Sequence, residues 1–229
     1  MKINNITDVF FDLDHTLWDF DKNSEITFAK ILANNHPTVD VKEFIAKYVP
    51  INQACWQLYQ FDKITHDELR YNRLKDSFDA INYHVSDSHI EIIAQEYLTY
   101  LPDNNHLFEG TLEILDYLNE NYKLHIITNG FAEVQDRKIK NSKIETYFKT
   151  ITNSELAGVK KPNAIIFEYA LNLADAKKES SVMIGDSLEA DVEGALSMGL
   201  DAIFFNESRI EVAENIKQVN HLLELKKYL

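Results

Sequence analysis

The strongest constraint on the fold of this chain is a series of short apolar segments that alternate with helical patterns. The first segment is Val9-Phe10-Phe11, and the others lie at 123–128, 150–152, 181–184 and 201–205. Helical periodicity fills the later intervals, at about 110–121, 131–142, 163–175 and 189–198. Strands that alternate with helices of this length are typical of βαβ units. The sequence therefore predicts an α/β fold with a Rossmann-like, three-layer core and a parallel sheet.

The interval between the first and second strands breaks this alternation. Four helical patterns follow one another there without a convincing strand, at about 24–34, 40–60, 65–80 and 86–100. We therefore predict an inserted all-helical cap domain at 21–102, with the core domain formed by 1–20 and 103–229. The final stretch, 209–229, is predicted to be a helix that packs on the core.

The composition excludes several classes of function. The chain has 229 residues with 23 basic and 37 acidic side chains, a net charge of −14, so no basic excess exists to neutralise nucleic-acid phosphates. Cys55 is the only cysteine, which excludes an intramolecular disulfide. No stretch approaches the roughly 18 apolar residues of a membrane span, and no signal-peptide region is visible. We expect a cytoplasmic protein with no nucleic-acid or membrane partner.

Two carboxylates, Asp12 and Asp14, follow the first strand at its carboxyl end. Residues two apart in an extended chain point to the same side, so these carboxylates are expected to lie close together. Like charges at that distance require a proton or a cation between them. The pattern suits a nucleophilic Asp12 beside a general acid/base Asp14, with Mg²⁺ as the cation. The alternative is structural: Asp14 or Thr16 caps a following helix.

Polar residues also follow the second strand, as Thr128-Asn129-Gly130. A hydroxyl, an amide and a glycine that permits close backbone approach suit phosphate oxygens, and the next helix adds its N-terminal N–H groups. The alternative is an ordinary turn and helix cap. Lys161, before the helix that follows the third strand, is a point charge that could reach between phosphate and nucleophile. A solvated surface loop is the alternative for this lysine.

Asp186 follows the fourth strand, and Asp191 lies five residues later. Mg²⁺ needs only one or two carboxylates besides substrate phosphate and water. We predict metal ligation by Asp12, Asp186 and the backbone carbonyl of Asp14. We expect Asp191 not to contact the metal itself but to hold Lys161 or a metal-bound water. The alternative is that Asp191 caps a helix.

These residues together describe one reaction. Asp12 attacks phosphorus and forms an aspartyl phosphate. The metal, Lys161 and Thr128 offset the charge on the phosphoryl oxygens. Asp14 protonates the leaving alkoxide and then deprotonates the water that hydrolyses the intermediate.

The same residues resemble the four motifs of the haloacid dehalogenase-like phosphatases. The motifs are Asp12-x-Asp14-x-Thr16, Thr128-Asn129-Gly130, Lys161-Pro162 and Gly185-Asp186-Ser187-x-x-x-Asp191. The resemblance spans essentially the whole chain, and it identifies the helical insert with a C1-type cap and gives Thr16 a supporting position. Glu109 and Ala164 depart from prolines that are common in the family, without touching the motifs.

Within that superfamily the chain most resembles the house-cleaning pyrimidine 5′-nucleotidases of bacteria. The resemblance rests on Ile127–Phe131, on Trp56-x-x-Tyr59 followed by Ile64-Thr65, and on Lys161-Pro162 leading to Ile166-Phe167. It implies a small phosphorylated metabolite as substrate, a pyrimidine nucleoside 5′-monophosphate. We separately expect a monomer or homodimer. Trp56 and Tyr59 fall at helical spacing and are interpreted as cap core ahead of base-stacking residues.

Three alternative classes share parts of this motif set, and only the first stays open. A phosphosugar phosphatase or a β-phosphoglucomutase-like phosphotransferase of the same superfamily would use the same motifs. A response-regulator-like module also combines acidic residues, Mg²⁺, a hydroxyl and a lysine, but its acceptor follows the third strand and it lacks the insert. A catalytically inactive binding protein is disfavoured because every motif residue is present.

Overall fold

The computed structural model describes residues 2–229, which form two compact units. One unit contains the chain up to Asp19 together with Asn105–Leu229, and the other is Phe20–Asn104. Among the helices of residues 2–229, none combines the length and the apolar character needed to cross a membrane.

The unit Phe20–Asn104 is built from four α-helices. They are α1 (Phe20–Asn35), α2 (Val41–Gln60), α3 (His66–Ala80) and α4 (Asp87–Tyr100), followed by a 3₁₀ turn at Leu101–Asp103. Thr65 and Glu68 form a capping box at the start of α3, which satisfies N–H groups that the helix itself cannot. The buried core is rich in aromatic rings: Phe28, Phe44, Tyr48, Phe78 and Tyr97. The predicted all-helical insertion is confirmed.

The other unit contains a six-stranded sheet. Its strands are β1 (Asp8–Phe11), β2 (Lys123–Thr128), β3 (Phe148–Asn153), β4 (Ser181–Gly185), β5 (Asp201–Phe205) and β6 (Gln218–Val219). The spatial order is β3-β2-β1-β4-β5-β6, and every pair is parallel. The carboxyl ends of β1, β2 and β4 therefore meet at one edge of the sheet. The predicted α/β fold with a parallel sheet is confirmed.

Helices cover the sheet because its strands are apolar toward both faces. They are α5 (Thr111–Asn119), α6 (Ala132–Asn141), α7 (Ser154–Ala157), α8 (Ala164–Ala174) and α9 (Gly194–Met198). Phe10 and Met183 pack with Phe167 of α8 in one buried cluster. Alternate strand residues point to the opposite face. All four residues of β1 are buried, and the strand lies between β2 and β4 in the middle of the sheet.

Two segments differ from the sequence prediction. The stretch 209–229, predicted to be helical, contains β6 and a 3₁₀ helix at Leu222–Lys227, so that prediction is wrong. The reason is backbone pairing with β5: Phe204 N donates to Lys217 O at 2.8 Å, and Asn206 N donates to Val219 O at 2.8 Å. The predicted helix at 189–198 is a π-helix at Leu188–Glu193 followed by α9.

Candidate active site

Asp12 lies directly beyond the end of β1. Its N–H donates to Ile184 O at 2.9 Å, so the chain stays extended through this residue. The backbone then turns at His15, whose φ is 62°, and the N–H groups of Leu17 and Trp18 both donate to Leu13 O. The strand thereby places a buried carboxylate at the edge of the sheet.

Lys161 joins two of the predicted carboxylates. Its ammonium is 2% exposed and donates to Asp12 Oδ1 at 2.6 Å, to Asp191 Oδ1 at 2.6 Å and to Ile127 O at 2.7 Å. These bonds use all three of its protons. Burial opposes the charge of Lys161, but the two carboxylates outweigh burial and raise its pKa above the usual value. Lys161 is therefore a fixed cation beside Asp12, and the alternative of a solvated lysine in a surface loop is wrong.

Asp186 and Asp191 are held at the end of β4. Thr16 donates its hydroxyl to Asp186 Oδ1 at 3.0 Å, and Ser187 N donates to Asp191 Oδ2 at 3.0 Å. Asp191 lies in the π-helix Leu188–Glu193, whose wider turn is a form found often at functional sites. Both oxygens of Asp191 are thus engaged by other residues, whereas Thr16 is the only other residue of the described chain whose side chain donates to the Asp186 carboxylate.

The donor set fits a hard divalent cation. Carboxylate oxygens of Asp12, Asp186 and Asp191 all lie within 4.8 Å of one another, and Lys161 is the only cation bonded to any of them within the described residues. Burial, followed by the charge of Asp191, raises the pKa of Asp186 to about 7. Burial likewise raises the pKa of Asp12 well above its ordinary value, although Lys161 opposes this. Oxygen ligands with excess negative charge are what Mg²⁺ prefers.

The Thr128 hydroxyl is oriented by two donors. Gly130 N and Gln135 Nε2 donate to Thr128 Oγ1, at 3.1 Å and 2.8 Å. A hydroxyl that accepts two hydrogen bonds keeps its own proton for donation. Thr128 can therefore donate to an anion at the carboxyl end of β2, as the sequence predicts.

Asn129 contacts a different group from the one that its sequence position indicates. Its Oδ1 accepts from Lys161 N at 2.7 Å, and its Nδ2 donates to Lys161 O at 3.0 Å. The sequence predicts an amide directed at phosphate oxygens. In the structure that amide holds the backbone of the lysine, because the loop before α8 lies next to the end of β2.

The carboxylate of Asp14 is held by helix α6. Lys138 Nζ lies 2.6 Å from Asp14 Oδ1, and Gln135 Nε2 donates to Asp14 Oδ2 at 2.8 Å. The sequence predicts Asp12 as the main neighbour of Asp14 and assigns no role to Gln135 or Lys138. A signal was present, since these two polar residues lie three apart on the helix that begins after Thr128-Asn129-Gly130.

The aromatic pair of the helical unit is partly buried. Trp56 and Tyr59 lie on α2, with ring centroids 5.7 Å apart at an interplanar angle of 79°. Other rings, among them Tyr48, form the fully buried core of this unit. The interpretation of Trp56 and Tyr59 as cap core stays a prediction.

Comparisons with known proteins agree on one family. The family profile described as haloacid dehalogenase-like hydrolase matches residues 8–199. The pyrimidine 5′-nucleotidase PynA of Streptococcus pneumoniae is 33% identical over 205 residues, covering 89% of this chain and 85% of that protein. The pyrimidine 5′-nucleotidase YjjG of Escherichia coli is 31% identical over 228 residues, covering 96% of each.

A solved structure shows the same fold throughout the chain. It is the putative hydrolase YfnB of Bacillus subtilis bound to magnesium, with a TM-score of 0.88 and 25% identity. The match covers 98% of both chains.

Proposed function

This chain belongs to the haloacid dehalogenase-like hydrolase family, and from that premise we propose that it is a Mg²⁺-dependent phosphatase of pyrimidine nucleoside 5′-monophosphates. The predicted family and the predicted class of enzyme, a phosphatase of this family, are confirmed. The metal, the aspartyl-phosphate intermediate and the nucleotide substrate are the proposal.

The observation that carries the proposal is the environment of the Asp12 carboxylate. Lys161 holds Oδ1 at 2.6 Å, while Oδ2 accepts no hydrogen bond from the residues that the structure describes. A carboxylate with one oxygen fixed and the other available is arranged for attack in line on phosphorus. Its buried position at the end of a central strand keeps that geometry.

The reaction has two steps in this proposal. Asp12 Oδ2 bonds to phosphorus as the bond from phosphorus to the ester oxygen breaks, and Asp14 gives its proton to that oxygen. Asp14 then takes a proton from a water molecule, which attacks the aspartyl phosphate and releases inorganic phosphate. Thr128 donates its free hydroxyl proton to a phosphoryl oxygen throughout.

The residues that would hold the metal are Asp12, Asp186 and the backbone carbonyl of Asp14. Mg²⁺ bound there supplies positive charge to the phosphoryl group, which lysine alone cannot supply in a site with three carboxylates. Thr16 keeps Asp186 in place, and Asp191 keeps Lys161 in place. The magnesium named in the related YfnB structure supports this choice of ion.

The proposed substrate class rests on the relatives. PynA and YjjG are both named as pyrimidine 5′-nucleotidases, and each is matched over more than four-fifths of its length. Asn129 is assigned to the positioning of Lys161, in place of a phosphate contact.

A phosphate-release panel tests the proposal. It compares UMP, dUMP and dTMP with AMP, sugar phosphates and an aryl phosphate, each with Mg²⁺ and with a chelator. We expect the highest kcat/KM for the pyrimidine nucleotides and loss of turnover in the chelator. Asp12→Asn abolishes turnover, whereas the exposed Asp136→Asn serves as the matched control and keeps it.

The results of this panel test the substrate class, the metal requirement and the reaction type separately. A preference for sugar phosphates over every nucleotide would contradict the substrate class and leave the phosphatase intact. Full activity in the presence of the chelator would contradict the requirement for Mg²⁺. Isomerisation of a sugar phosphate without phosphate release would replace the phosphatase with a phosphotransferase.

A further inference from the structure

Helix α6 presents two buried polar side chains to the acid/base carboxylate. Gln135 and Lys138 lie three residues apart, hence on one face of the helix, and are 1% and 2% exposed. Each holds a different oxygen of Asp14: Gln135 Nε2 holds Oδ2 at 2.8 Å, and Lys138 Nζ holds Oδ1 at 2.6 Å. We call this pair the α6 clamp.

The clamp is rigid because its own members are held. Lys138 Nζ lies 4.4 Å from the centroid of the Trp18 ring, a cation–π contact that fixes the ammonium against a buried side chain. Gly130 leaves the space that Gln135 occupies, since a Cβ at Gly130 would lie 2.4 Å from Gln135 Cδ. The glycine of the Thr128-Asn129-Gly130 motif therefore makes room for the clamp.

Gln135 also connects the carboxylate to the phosphate-binding hydroxyl. The same Nε2 that donates to Asp14 Oδ2 donates to Thr128 Oγ1, at 2.8 Å in each case. An amide nitrogen has two protons, and each of these bonds takes one. The relative positions of the Thr128 hydroxyl and the Asp14 carboxylate are therefore set by one planar group.

We propose that Gln135 and Lys138 are positioning residues that hold Asp14 in register with the phosphate at Thr128 for transfer of its proton to the leaving group. The inference rests on the proposed phosphatase function. Proton transfer requires heavy atoms at about 2.6–3.2 Å, and Asp14, which is partly exposed, has no other side-chain partner among the described residues to keep it there. Without the clamp the carboxylate adopts other rotamers.

The dependence on the leaving group separates positioning from general damage. A nucleotide leaves as a basic alkoxide that needs the proton, whereas p-nitrophenyl phosphate leaves as a stable phenolate that does not. The parameter is kcat/KM, because it covers the steps up to departure of the leaving group. The variants are Lys138→Met and Gln135→Met, which keep the length of the side chains, with Asp14→Asn as the reference.

We expect each clamp variant to lose about 10- to 100-fold in kcat/KM for UMP, which is part of the roughly 100- to 10,000-fold that a general acid contributes. For Lys138→Met the loss for p-nitrophenyl phosphate is expected to stay within about threefold, and Asp14→Asn is expected to show the same pattern more strongly. Gln135→Met is expected to lose activity toward both substrates, and more toward UMP, because Gln135 also holds Thr128. Lys140→Met, an exposed lysine paired with Asp136 on the same helix, is the matched control and is expected to keep both activities. Lys138→Arg is expected to restore most of the activity toward UMP.

In Lys138→Met, equal losses on both substrates, no loss on either, or a gain on UMP would overturn the positioning role. If Lys138→Met does not fold, Lys138→Gln keeps a donor without the charge and gives the same comparison. No phosphate release by the unmodified protein from either substrate would overturn the proposed function and the clamp together. If the unmodified protein turns over both substrates but the Lys138 variants lose equal activity toward each, the clamp alone would be overturned.

Discussion

Asp191 lies against Gly185 so closely that a Cβ on this glycine would be 2.1 Å from Asp191 Oδ2. The strand end and the π-helix approach each other only because this position has no side chain. The carboxylate in turn holds Lys161 at 2.6 Å, and Lys161 holds Asp12. A glycine with no chemistry of its own thus determines the position of the proposed nucleophile.

Gly185→Ala is expected to displace Asp191 and, through Lys161, to misplace Asp12. Because a shift of 1 Å can cost about 100-fold in rate, kcat/KM for UMP should fall by roughly that factor. Steady-state kinetics with a thermal-unfolding check measures this. Gly158→Asn is the control, since Gly158 has open space around it and asparagine tolerates its left-handed backbone. Activity within twofold of the unmodified protein would contradict the role of Gly185.

Lys161→Met leaves Asp12 and Asp191 buried without their cation. Removing one partner of a buried ion pair costs about 3–5 kcal/mol, so the free energy of unfolding should fall by that amount, and activity should be lost. Saturating Mg²⁺ should recover part of the stability, because it neutralises the same carboxylates. Urea unfolding with and without Mg²⁺ measures both effects. Lys160→Met, at the neighbouring lysine, is expected to change stability by no more than about 0.5 kcal/mol.

The pKa of Asp186 predicts how stability depends on pH. Burial raises this pKa to about 7, so the folded state favours the protonated carboxyl. The stabilisation is fully present below the ordinary Asp pKa and is lost as the pH rises through about 7. In a chelator, the unfolding free energy should therefore decline over this range. Added Mg²⁺ should remove the decline, and Asp186→Asn should make it shallower. A profile unaffected by either change would contradict the assignment of Asp186.

Asn129→Ala tests whether this amide positions Lys161 or binds phosphate. Its bonds to both backbone groups of Lys161 predict a fall in kcat, with the inhibition constant of inorganic phosphate changed by less than about threefold. A direct phosphate contact predicts a clear rise in that inhibition constant. Asn172→Ala, on the outer part of α8, serves as the control.

Much of the fold follows from the periodicity of the sequence. The apolar segments and the polar residues at their ends predict the parallel sheet and the edge at which Asp12, Thr128 and Asp186 meet. The helices of the insertion are also predicted from the sequence, because the capping residues and the apolar periodicity indicate the same segments. Parallel pairing of Val219 with β5 is not visible, since Leu222, Leu223 and Leu225 have helical spacing and the competing backbone partner lies far away in sequence.

Some side-chain contacts of the candidate site cannot be predicted from the sequence either. Gln135 and Lys138 lie on a helix with Asp136, Arg137 and Lys140, and such a run indicates a solvated face until the neighbouring strand is placed. Likewise the π-turn that aims Asp191 at Lys161 inserts a residue that a period of 3.6 does not reveal. Tertiary packing decides both cases.

The proposed mechanism requires Asp12 to become phosphorylated during turnover, and a rapid acid quench with ³²P-labelled UMP measures this. Covalent label is expected on the unmodified protein in the first turnover, located by peptide mapping at Asp12 and absent in Asp12→Asn. Phosphate release without any covalent label on Asp12, or undiminished turnover by Asp12→Asn, would contradict it.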